Sequence, residues 1–384
     1  MNTATLPGQT DGVLRPHPGE PDRTDAFLPA PDVQNHAANL MELPGGDLGC
    51  VWFGGTQEGV PDIGVWFSLL APGATAWSAP VRLSDDPTRS EQNPLLFVAP
   101  DGVVWLLHTA QVAGNQDTAE VRVRTSTDGG TTWSPTRTLF PAGPDGGVFV
   151  RQPIVVLAGG RWLLPIWHCV TPPSGRWVGD LDTSAVLVSD DAGATWREVP
   201  VPGSTGQVHM NIVPLANGEL LALYRSRRAD FVHASRSTDG GDSWSAPEPL
   251  DLPNNNSSIQ CVALRDGRLA LVYNHSSAAD ATGRRTSLYD EIDDSGDDGA
   301  VREGAFWGAP RAPMSLAFSS DGGRTWPVRR DLETSDGHCL TNDSAGKRNR
   351  ELSYPAIREA ADGGLHIAFT YFRQAIEYVH LTHG

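Results

Sequence analysis

The chain has 384 residues and carries 46 acidic against 29 basic side chains, a formal net charge of −17 at pH 7. No tract rich in Lys or Arg stands out, so neither nucleic acid nor an anionic membrane is expected as a partner. The four cysteines lack the paired spacing of a metal or redox motif, which favours buried thiols in a reducing compartment. The N-terminus shows no basic stretch followed by an apolar run, so we expect a cytoplasmic protein.

Residues 1–21 are rich in Pro, Gly, Asp and Thr and are predicted to form a flexible N-terminal arm. The rest of the chain, residues 22–384, is predicted to form a single domain, because one repeated pattern fills it almost from end to end.

That pattern is a short run that opens with a polar residue and becomes apolar, then a turn with Gly, then a second apolar run. It occurs six times, with turn glycines at Gly46, Gly102, Gly160, Gly218, Gly267 and Gly363. Each copy predicts two antiparallel strands joined by a tight turn. The spacing is typical of one propeller blade per copy, with an insertion before the last.

Two strands cannot bury both of their faces alone, so the units must stack on one another, and six of them close into a ring without a long free edge. The sequence therefore predicts an all-β fold, a six-bladed β-propeller. The segment at 26–29 is expected to close the ring as the outer strand of the last blade, because the chain end at 375–381 resembles only its third strand.

In such a ring the innermost strands begin, and the second strands end, at the same mouth of the central channel. Alignment on the turn glycines places six residues at one equivalent position near this mouth: Ala37, Asn93, Arg151, His209, Ser258 and Tyr354. His36 lies beside the first of them. Polar residues could stand here simply because strand starts are near solvent, but two His, an Arg and a Tyr together favour a functional mouth.

A second repeated feature lies between the outer strands. Four turns share the pattern Ser-x-Asp-x-Gly-x-Thr/Ser-Trp, at 126–133, 189–196, 237–244 and 319–326, and a degenerate fifth lies at 73–77. The Asp and Ser side chains are expected to satisfy backbone N–H groups, Gly to take a positive φ, and Trp to pack between blades. We therefore interpret these Asp residues as structural.

This turn resembles the Asp-box (BNR) repeat of sialidases and sialidase-like propellers, and the resemblance covers nearly the whole chain. The segments 36–38, 52–59, 253–258 and 353–357 are similar to the bacterial "predicted neuraminidase" group of BNR proteins. Sialidases use a Tyr nucleophile activated by a Glu, an Asp acid/base and three Arg that hold the substrate carboxylate.

The resemblance implies that Tyr354 is the nucleophile, with Glu351 as its helper, although Glu351 could equally belong to a solvated turn. It also implies that Arg311 and Arg225 bind the carboxylate, with Arg227 as a fallback for Arg225.

The chain departs from the family pattern at the first arginine. The Arg-Ile-Pro signature is absent and His36 stands in its place, so Arg151 would have to substitute from another direction. For the acid/base, the loop at 56–63 offers Glu58, which fits the family spacing better, and Asp62, which could instead cap the next strand.

Further polar side chains belong to the mouth by position and suit sugar hydroxyls: His168, Asp180, Asp182, His209, Asn211, Asn254, Asn255 and Asn256. His36, His168 and His209 would bind a metal only if they converged, and their spacing matches no ligand motif, so neither metal nor cofactor is expected. The acidic insertion at 290–303 is interpreted as a solvated loop, with a lid or a calcium site as alternatives.

The chain is thus predicted to be an exo-acting glycoside hydrolase of the sialidase-like superfamily that cleaves a terminal, acidic sugar. Two alternatives remain open: a lyase that acts on a uronic-acid glycoside, and a non-catalytic propeller that binds carbohydrate. The sequence does not fix the oligomeric state.

Overall fold

The computed structural model describes residues 9–84, 86–282, 304–339 and 349–382. The acidic insertion at 290–303 lies outside these residues. They form six antiparallel sheets, each of four or five strands, and their arrangement as six blades confirms the predicted β-propeller. Within the described ranges, no helix is both long and apolar enough to cross a membrane.

Blades 1 to 3 follow one another along the chain, and each runs from an inner strand to an outer one. Blade 1 consists of Gln34–Glu42, Leu48–Gly55, Gly64–Leu70 and Val81–Arg82. Blade 2 consists of Arg89–Val98, Val104–Val112, Glu120–Ser126 and Arg137–Phe140. Blade 3 has an inner strand split into Gly146–Val150 and Val155–Val156, then Trp162–Val170, Thr183–Ser189 and Arg197–Pro200.

Blades 4 to 6 complete the ring. Blade 4 consists of Gln207–Pro214, Leu220–Ser226, Phe231–Ser237 and Glu248–Pro253. Blade 5 consists of Gln260–Ala263, Leu269–Asn274, Met314–Ser319 and Val328–Glu333. Blade 6 consists of Leu352–Glu359, Leu365–Tyr371, Ala375–Leu381, Arg23–Phe27 and Arg15–Pro16. Short 3-10 turns occur in loops at Gln116–Thr118 and Ala278–Asp280.

The ring is closed by strand pairing between the two ends of the chain. Arg23–Phe27 pairs with Ala375–Leu381, which confirms the predicted closure. The preceding segment is also part of the ring, since Gly12 N donates to Phe27 O at 2.9 Å and Trp77 N donates to Gly12 O at 3.0 Å. The prediction of a flexible arm is therefore wrong for residues 12–16, because the last blade and the degenerate fifth turn supply backbone partners for them.

The four Asp-containing turns are held by their own side chains. In the turn at 126–133, Ser126 Oγ donates to Asp128 Oδ1 at 2.7 Å and accepts from Gly130 N at 2.8 Å, while Thr132 N donates to Asp128 Oδ1 at 2.9 Å. Equivalent bonds form in the other three turns. The hydroxyl and N–H of Thr132 lower the pKa of Asp128 to about 2. The structural interpretation of these Asp residues is confirmed.

The aligned position near the mouth is a β-bulge in four blades. Ala37, Asn93, His209 and Tyr354 have φ angles of 62°, 48°, 55° and 52°, and the pairing of the inner strand with the second strand shifts register at each of them. A left-handed conformation costs a non-glycine residue about 1–2 kcal/mol. The bulge redirects the side chain, so each of these four inner strands carries one strained residue at the channel.

Amide side chains two residues after the aligned position join neighbouring inner strands. Asn39 Oδ1 accepts from Leu96 N at 3.0 Å, and Asn211 Oδ1 accepts from Cys261 N at 2.6 Å. Gln260 Oε1 accepts from Ile357 N in the same way, at 2.6 Å. Asn211, predicted to bind sugar hydroxyls, is therefore corrected to a residue that joins blade 4 to blade 5.

We expect Asn211→Ala to destabilise the fold by roughly 1–3 kcal/mol, because it leaves the buried N–H of Cys261 without an acceptor. Unfolding followed by Trp fluorescence measures this loss. The control is Asn217→Ala, whose side chain accepts from Glu219 N at 3.1 Å in an exposed turn, where water can replace it. Equal losses in the two variants would contradict the role given to Asn211.

Candidate active site

The centre of the mouth is the phenol of Tyr354, carried by the inner-strand bulge of blade 6. Arg225, at the end of the second strand of blade 4, donates from Nη1 to the Tyr354 hydroxyl oxygen at 2.5 Å. The guanidinium carbons of Arg151, Arg225 and Arg311 lie 5.4, 5.6 and 5.6 Å from the centroid of the Tyr354 ring. The propeller thus brings three predicted arginines, each from a different blade, to the phenol of Tyr354.

Asn256 positions two of these arginines. Its Oδ1 accepts from Arg225 Nε at 2.7 Å, and its backbone oxygen accepts from Arg311 Nη2 at 3.3 Å. Asn256 itself has a φ of 58°, a conformation that Asn tolerates better than most residues. Burial, helped by the charges of Arg227 and Arg311, lowers the pKa of Arg225 to about 9, which still leaves it charged at neutral pH.

Glu351 is the counter-ion of two buried arginines. Its Oε1 accepts from Arg311 Nη1 at 2.6 Å, and its Oε2 accepts from Arg373 Nε at 2.7 Å. Ser353 Oγ adds a bond of 2.8 Å to Oε1. Burial alone would raise the pKa of Glu351, but Arg373 and Arg311 hold it well below its ordinary value. The predicted role of Glu351 as helper of Tyr354 is corrected accordingly: the carboxylate is committed to arginines.

Arg373 is a member of the site that sequence reasoning missed. It donates from Nη1 to Glu58 Oε2 at 2.5 Å and so joins Glu58 to Glu351. The signal was present in the sequence, because Arg373 follows the second strand of blade 6 much as Arg225 ends the second strand of blade 4. The structure favours Glu58 over Asp62, since Glu58 is only 6% exposed and belongs to this network.

Two histidines pack against Tyr354, and both are neutral. The His36 ring lies 4.3 Å from the Tyr354 ring, with Nδ1 2.8 Å from Thr370 Oγ1 and Nε2 3.4 Å from Arg373 Nη2. The His209 ring meets Tyr354 edge-on at 5.5 Å and has Nε2 3.2 Å from Arg225 Nη1. Burial, then the nearby arginines, lower the pKa of each His well below its ordinary value. His36 therefore replaces the expected first arginine with an uncharged ring.

Arg151 is held inside the channel by backbone oxygens. Its Nη2 lies 2.9, 3.0 and 3.2 Å from the carbonyl oxygens of Ala38, Tyr354 and Pro355. The predicted use of Arg151 as a substitute carboxylate ligand is therefore corrected: its terminal nitrogen is already occupied, and its contacts support the Tyr354 bulge.

Other predicted residues lie outside the cluster around Tyr354. Asp62 is exposed and accepts from the Thr56 hydroxyl at 2.6 Å, so it closes its own loop. His168 Nε2 lies 2.9 Å from Glu198 Oε1 on the outer strand of blade 3. These two assignments are corrected, because both side chains are engaged away from the phenol.

Asn93 and Arg227 stay close to the mouth with other contacts. Asn93 is buried at the bulge of blade 2. Arg227 forms a buried ion pair with Asp182, Nη2 to Oδ2 at 2.6 Å, and Trp177 Nε1 donates to the other oxygen of Asp182 at 2.8 Å. Among the described residues, no group of three His, Cys, Asp or Glu side chains is placed to hold a metal ion.

The segment at 304–309 covers the mouth. Trp307 Nε1 donates to Val178 O at 3.0 Å, and Phe306 N donates to Arg227 O at 2.7 Å. The Trp307 ring centroid lies 5.7 Å from the Arg225 guanidinium carbon. Tyr354 itself is only 6% exposed.

The sequence profile of the BNR repeat-like domain matches residues 46–367. The chain belongs to this BNR repeat-like family. No curated protein sequence matches it.

Solved structures with the same fold include sialidases. The Hadza microbial sialidase Hz136 superposes with a TM-score of 0.65 at 13% identity, over 90% of this chain and 65% of that one. An intramolecular trans-sialidase from Ruminococcus gnavus gives 0.64 at 14% identity, over 92% and 96%. A protein of unknown function from Dyadobacter fermentans gives 0.66 at 17% identity, over 93% and 97%. The chain thus spans 65% of the length of the Hadza sialidase, and these likenesses show the fold.

We expect Arg373→Met to raise the pH at which the protein unfolds in acid. The lowered pKa of Glu351 contributes stability above the ordinary Glu value, and this contribution is lost as the pH falls through the folded-state pKa. Without Arg373 that pKa rises, so the loss begins at higher pH. Breaking the buried pair should also cost about 3–5 kcal/mol at neutral pH.

Acid unfolding followed by Trp fluorescence measures both effects. Arg265→Met is the control, because the Arg265 side chain is 58% exposed and its contacts, an ion pair with Glu359 and a hydrogen bond to Ala361 O, lie at the surface. An unchanged acid midpoint in Arg373→Met would show that Glu351 does not depend on this arginine.

Proposed function

We propose that this sialidase-like BNR propeller is an exo-acting glycoside hydrolase that cleaves a terminal, acidic sugar. The observation that carries the proposal is the Tyr354 phenol, which accepts a 2.5 Å hydrogen bond from Arg225 and has three guanidiniums around its ring. Several buried guanidiniums meet at one mouth of a protein whose net charge is −17, and this local positive charge favours an anionic ligand.

In this proposal the Tyr354 oxygen attacks the anomeric carbon as the bond from that carbon to the glycosidic oxygen breaks, and the phenol proton is released to solvent. In a dissociative form of the step, the same oxygen stabilises the positive charge that develops at the anomeric carbon. Arg225 stabilises the negative charge on the phenol oxygen through its hydrogen bond. Glu58 donates a proton to the departing glycosidic oxygen, and in the second step takes one from the attacking water. Arg373, which contacts both Glu58 and Glu351, fixes the position of Glu58. The fold shared with sialidases supports this order of events.

Turnover of fluorogenic glycosides tests the proposal. We expect hydrolysis of an α-sialoside or a glucuronide and no hydrolysis of the matching neutral glucoside. Tyr354→Phe should lower kcat/KM on the order of 10²- to 10⁴-fold and leave the fold intact. Tyr378→Phe is the matched control, because its hydroxyl lies 2.6 Å from His366 Nδ1 in the outer part of blade 6. Full turnover by Tyr354→Phe would exclude Tyr354 from the chemistry.

A lyase is the second candidate, and one observation favours it: Glu351 is committed to Arg311 and Arg373, whereas the neighbours of the Tyr354 phenol are Arg225 and His209. In a lyase the phenolate would remove the proton at C5 of a uronic acid while Arg225 neutralises its carboxylate. The electrons of the broken C–H bond would form a C4–C5 double bond as the glycosidic oxygen leaves from C4.

The two reactions differ in their products. Hydrolysis in ¹⁸O-labelled water would place the label on the released sugar, and the product would not absorb in the near ultraviolet. A lyase would give an absorbing, unsaturated sugar without label. Binding of the sugar with no product of either kind would indicate a carbohydrate-binding module.

A further inference from the structure

The arginines of the mouth differ in how many of their nitrogens are still available. Three of them bond both terminal nitrogens to protein acceptors: Arg151 to the carbonyl oxygens of residues 37, 38, 354 and 355, Arg311 to Glu351 and the Asn256 carbonyl, and Arg373 to Glu351 and Glu58. Arg227 donates from Nε and Nη2 to Asp182. An arginine whose terminal nitrogens are occupied in this way has little left for a substrate.

Arg225 differs from this group. Its Nε is bonded to Asn256, and the two hydrogens of its Nη1 are taken by the Tyr354 oxygen and by His209 Nε2. Its Nη2 is buried and has no partner in the part of the chain that the structure describes. Arg151 also leaves a nitrogen unpaired, but that nitrogen is Nε. Arg225 therefore offers a terminal nitrogen with two hydrogens at the phenol.

The tautomer of His209 follows from the same contact. Arginine can only donate, so His209 Nε2 must be the acceptor of the Arg225 Nη1 bond, and in the neutral ring the proton then resides on Nδ1. This Nδ1 is also buried without a partner. The ring is held by stacking on Trp167, at 4.2 Å and 27°, and by its edge contact with Tyr354.

Two neighbouring side chains, each at least 98% buried, thus carry N–H groups that have no acceptor among the described residues. A buried donor of this kind is normally completed by ordered water or by a ligand. Both are donors, so the group that completes them must be an acceptor. A carboxylate, which only accepts and carries a negative charge beside Arg225, fits this requirement.

We propose that Arg225 Nη2 and His209 Nδ1 together bind the carboxylate of the substrate sugar, in place of a clamp of three arginines. The inference rests on the proposed function, because it concerns the substrate of that site, and it assigns His209 as the specificity-determining residue for an acidic sugar. The three-arginine clamp of Arg151, Arg225 and Arg311, which the resemblance implied, is reduced to Arg225 and a neutral imidazole.

Binding measured by calorimetry separates this arrangement from its alternatives. The ligands are a free sialic acid and its methyl ester, and glucuronic acid and its methyl ester. Wild-type protein should prefer the acid of at least one pair, on the order of tenfold to a hundredfold, since the ester loses the charge that strengthens the hydrogen bonds.

Two variants of His209 make a matched pair. In His209→Asn the side-chain amide can place a donor near the position of Nδ1, and Asn tolerates the φ of 55° at this residue. In His209→Gln the longer amide can keep a polar atom near Nε2, beside Arg225, but leaves the Nδ1 position empty. We expect His209→Asn to keep most of the preference for the acid and His209→Gln to lose it.

A second measurement does not depend on how the variants fold. ¹⁵N NMR of the wild-type imidazoles should show His209 as the neutral Nδ1–H tautomer, and its Nδ1 signal should shift when the acid is added but not when the ester is added. A proton on Nε2, or an Nδ1 signal that does not respond to the acid, would overturn the proposal.

The outcomes test the carboxylate site and the hydrolase activity separately. If an acid is preferred equally by wild type, His209→Asn and His209→Gln, the assignment of His209 is wrong while the proposed hydrolase stands. If wild type does not distinguish acid from ester, the carboxylate site is wrong, and turnover of the fluorogenic glycosides decides separately whether the hydrolase proposal survives.

Discussion

The mouth of this propeller depends on how five buried arginines are neutralised or held. Burying an unpaired guanidinium costs several kcal/mol, so each of these side chains needs acceptors in place before the fold is stable. Glu351 supplies them for Arg311 and Arg373, Asp182 for Arg227, and backbone carbonyls for Arg151. Arg225, like Arg151, has only neutral acceptors, but they are the side chains of Asn256, His209 and Tyr354 at the mouth. The charge left over at the mouth is therefore concentrated at the phenol.

The fold explains how residues far apart in sequence can meet this requirement. Four of the inner strands carry a bulge near their start, and each of these bulges holds a residue at positive φ, including His209 and Tyr354. Asn39, Asn211 and Gln260 join neighbouring inner strands just beyond the bulges, so the strained residues stand on a braced ring. Strain of this kind persists only where the surrounding structure overdetermines it. The hydrogen bonds that join the inner strands therefore also fix the orientation of the site residues at the bulges.

The propeller fold and much of the site at its mouth could be predicted from the sequence, because the repeats can be aligned with one another. The six glycine turns indicate the blade count and the position shared by His209 and Tyr354, whereas Arg225 and Arg311 were implied by the resemblance to sialidases. Arg373 was missed because it lies in a turn outside the aligned position. Asn211 and Arg151 were assigned to the substrate because burial cannot be read from a strand start. In the fold, Asn211 accepts from Cys261 N in the next blade, and Arg151 donates to carbonyl oxygens.

The central claim is that an acidic sugar lies with its carboxylate on Arg225 and its anomeric carbon at residue 354. A crystal structure of the Tyr354→Phe variant with an uncleaved α-sialoside or glucuronide tests this most directly. The account predicts the carboxylate within hydrogen-bond distance of Arg225 Nη2 and the anomeric carbon about 3–3.5 Å from where the phenol oxygen would be. A sugar bound at another face of the propeller, or one that points a neutral hydroxyl at Arg225, would contradict it.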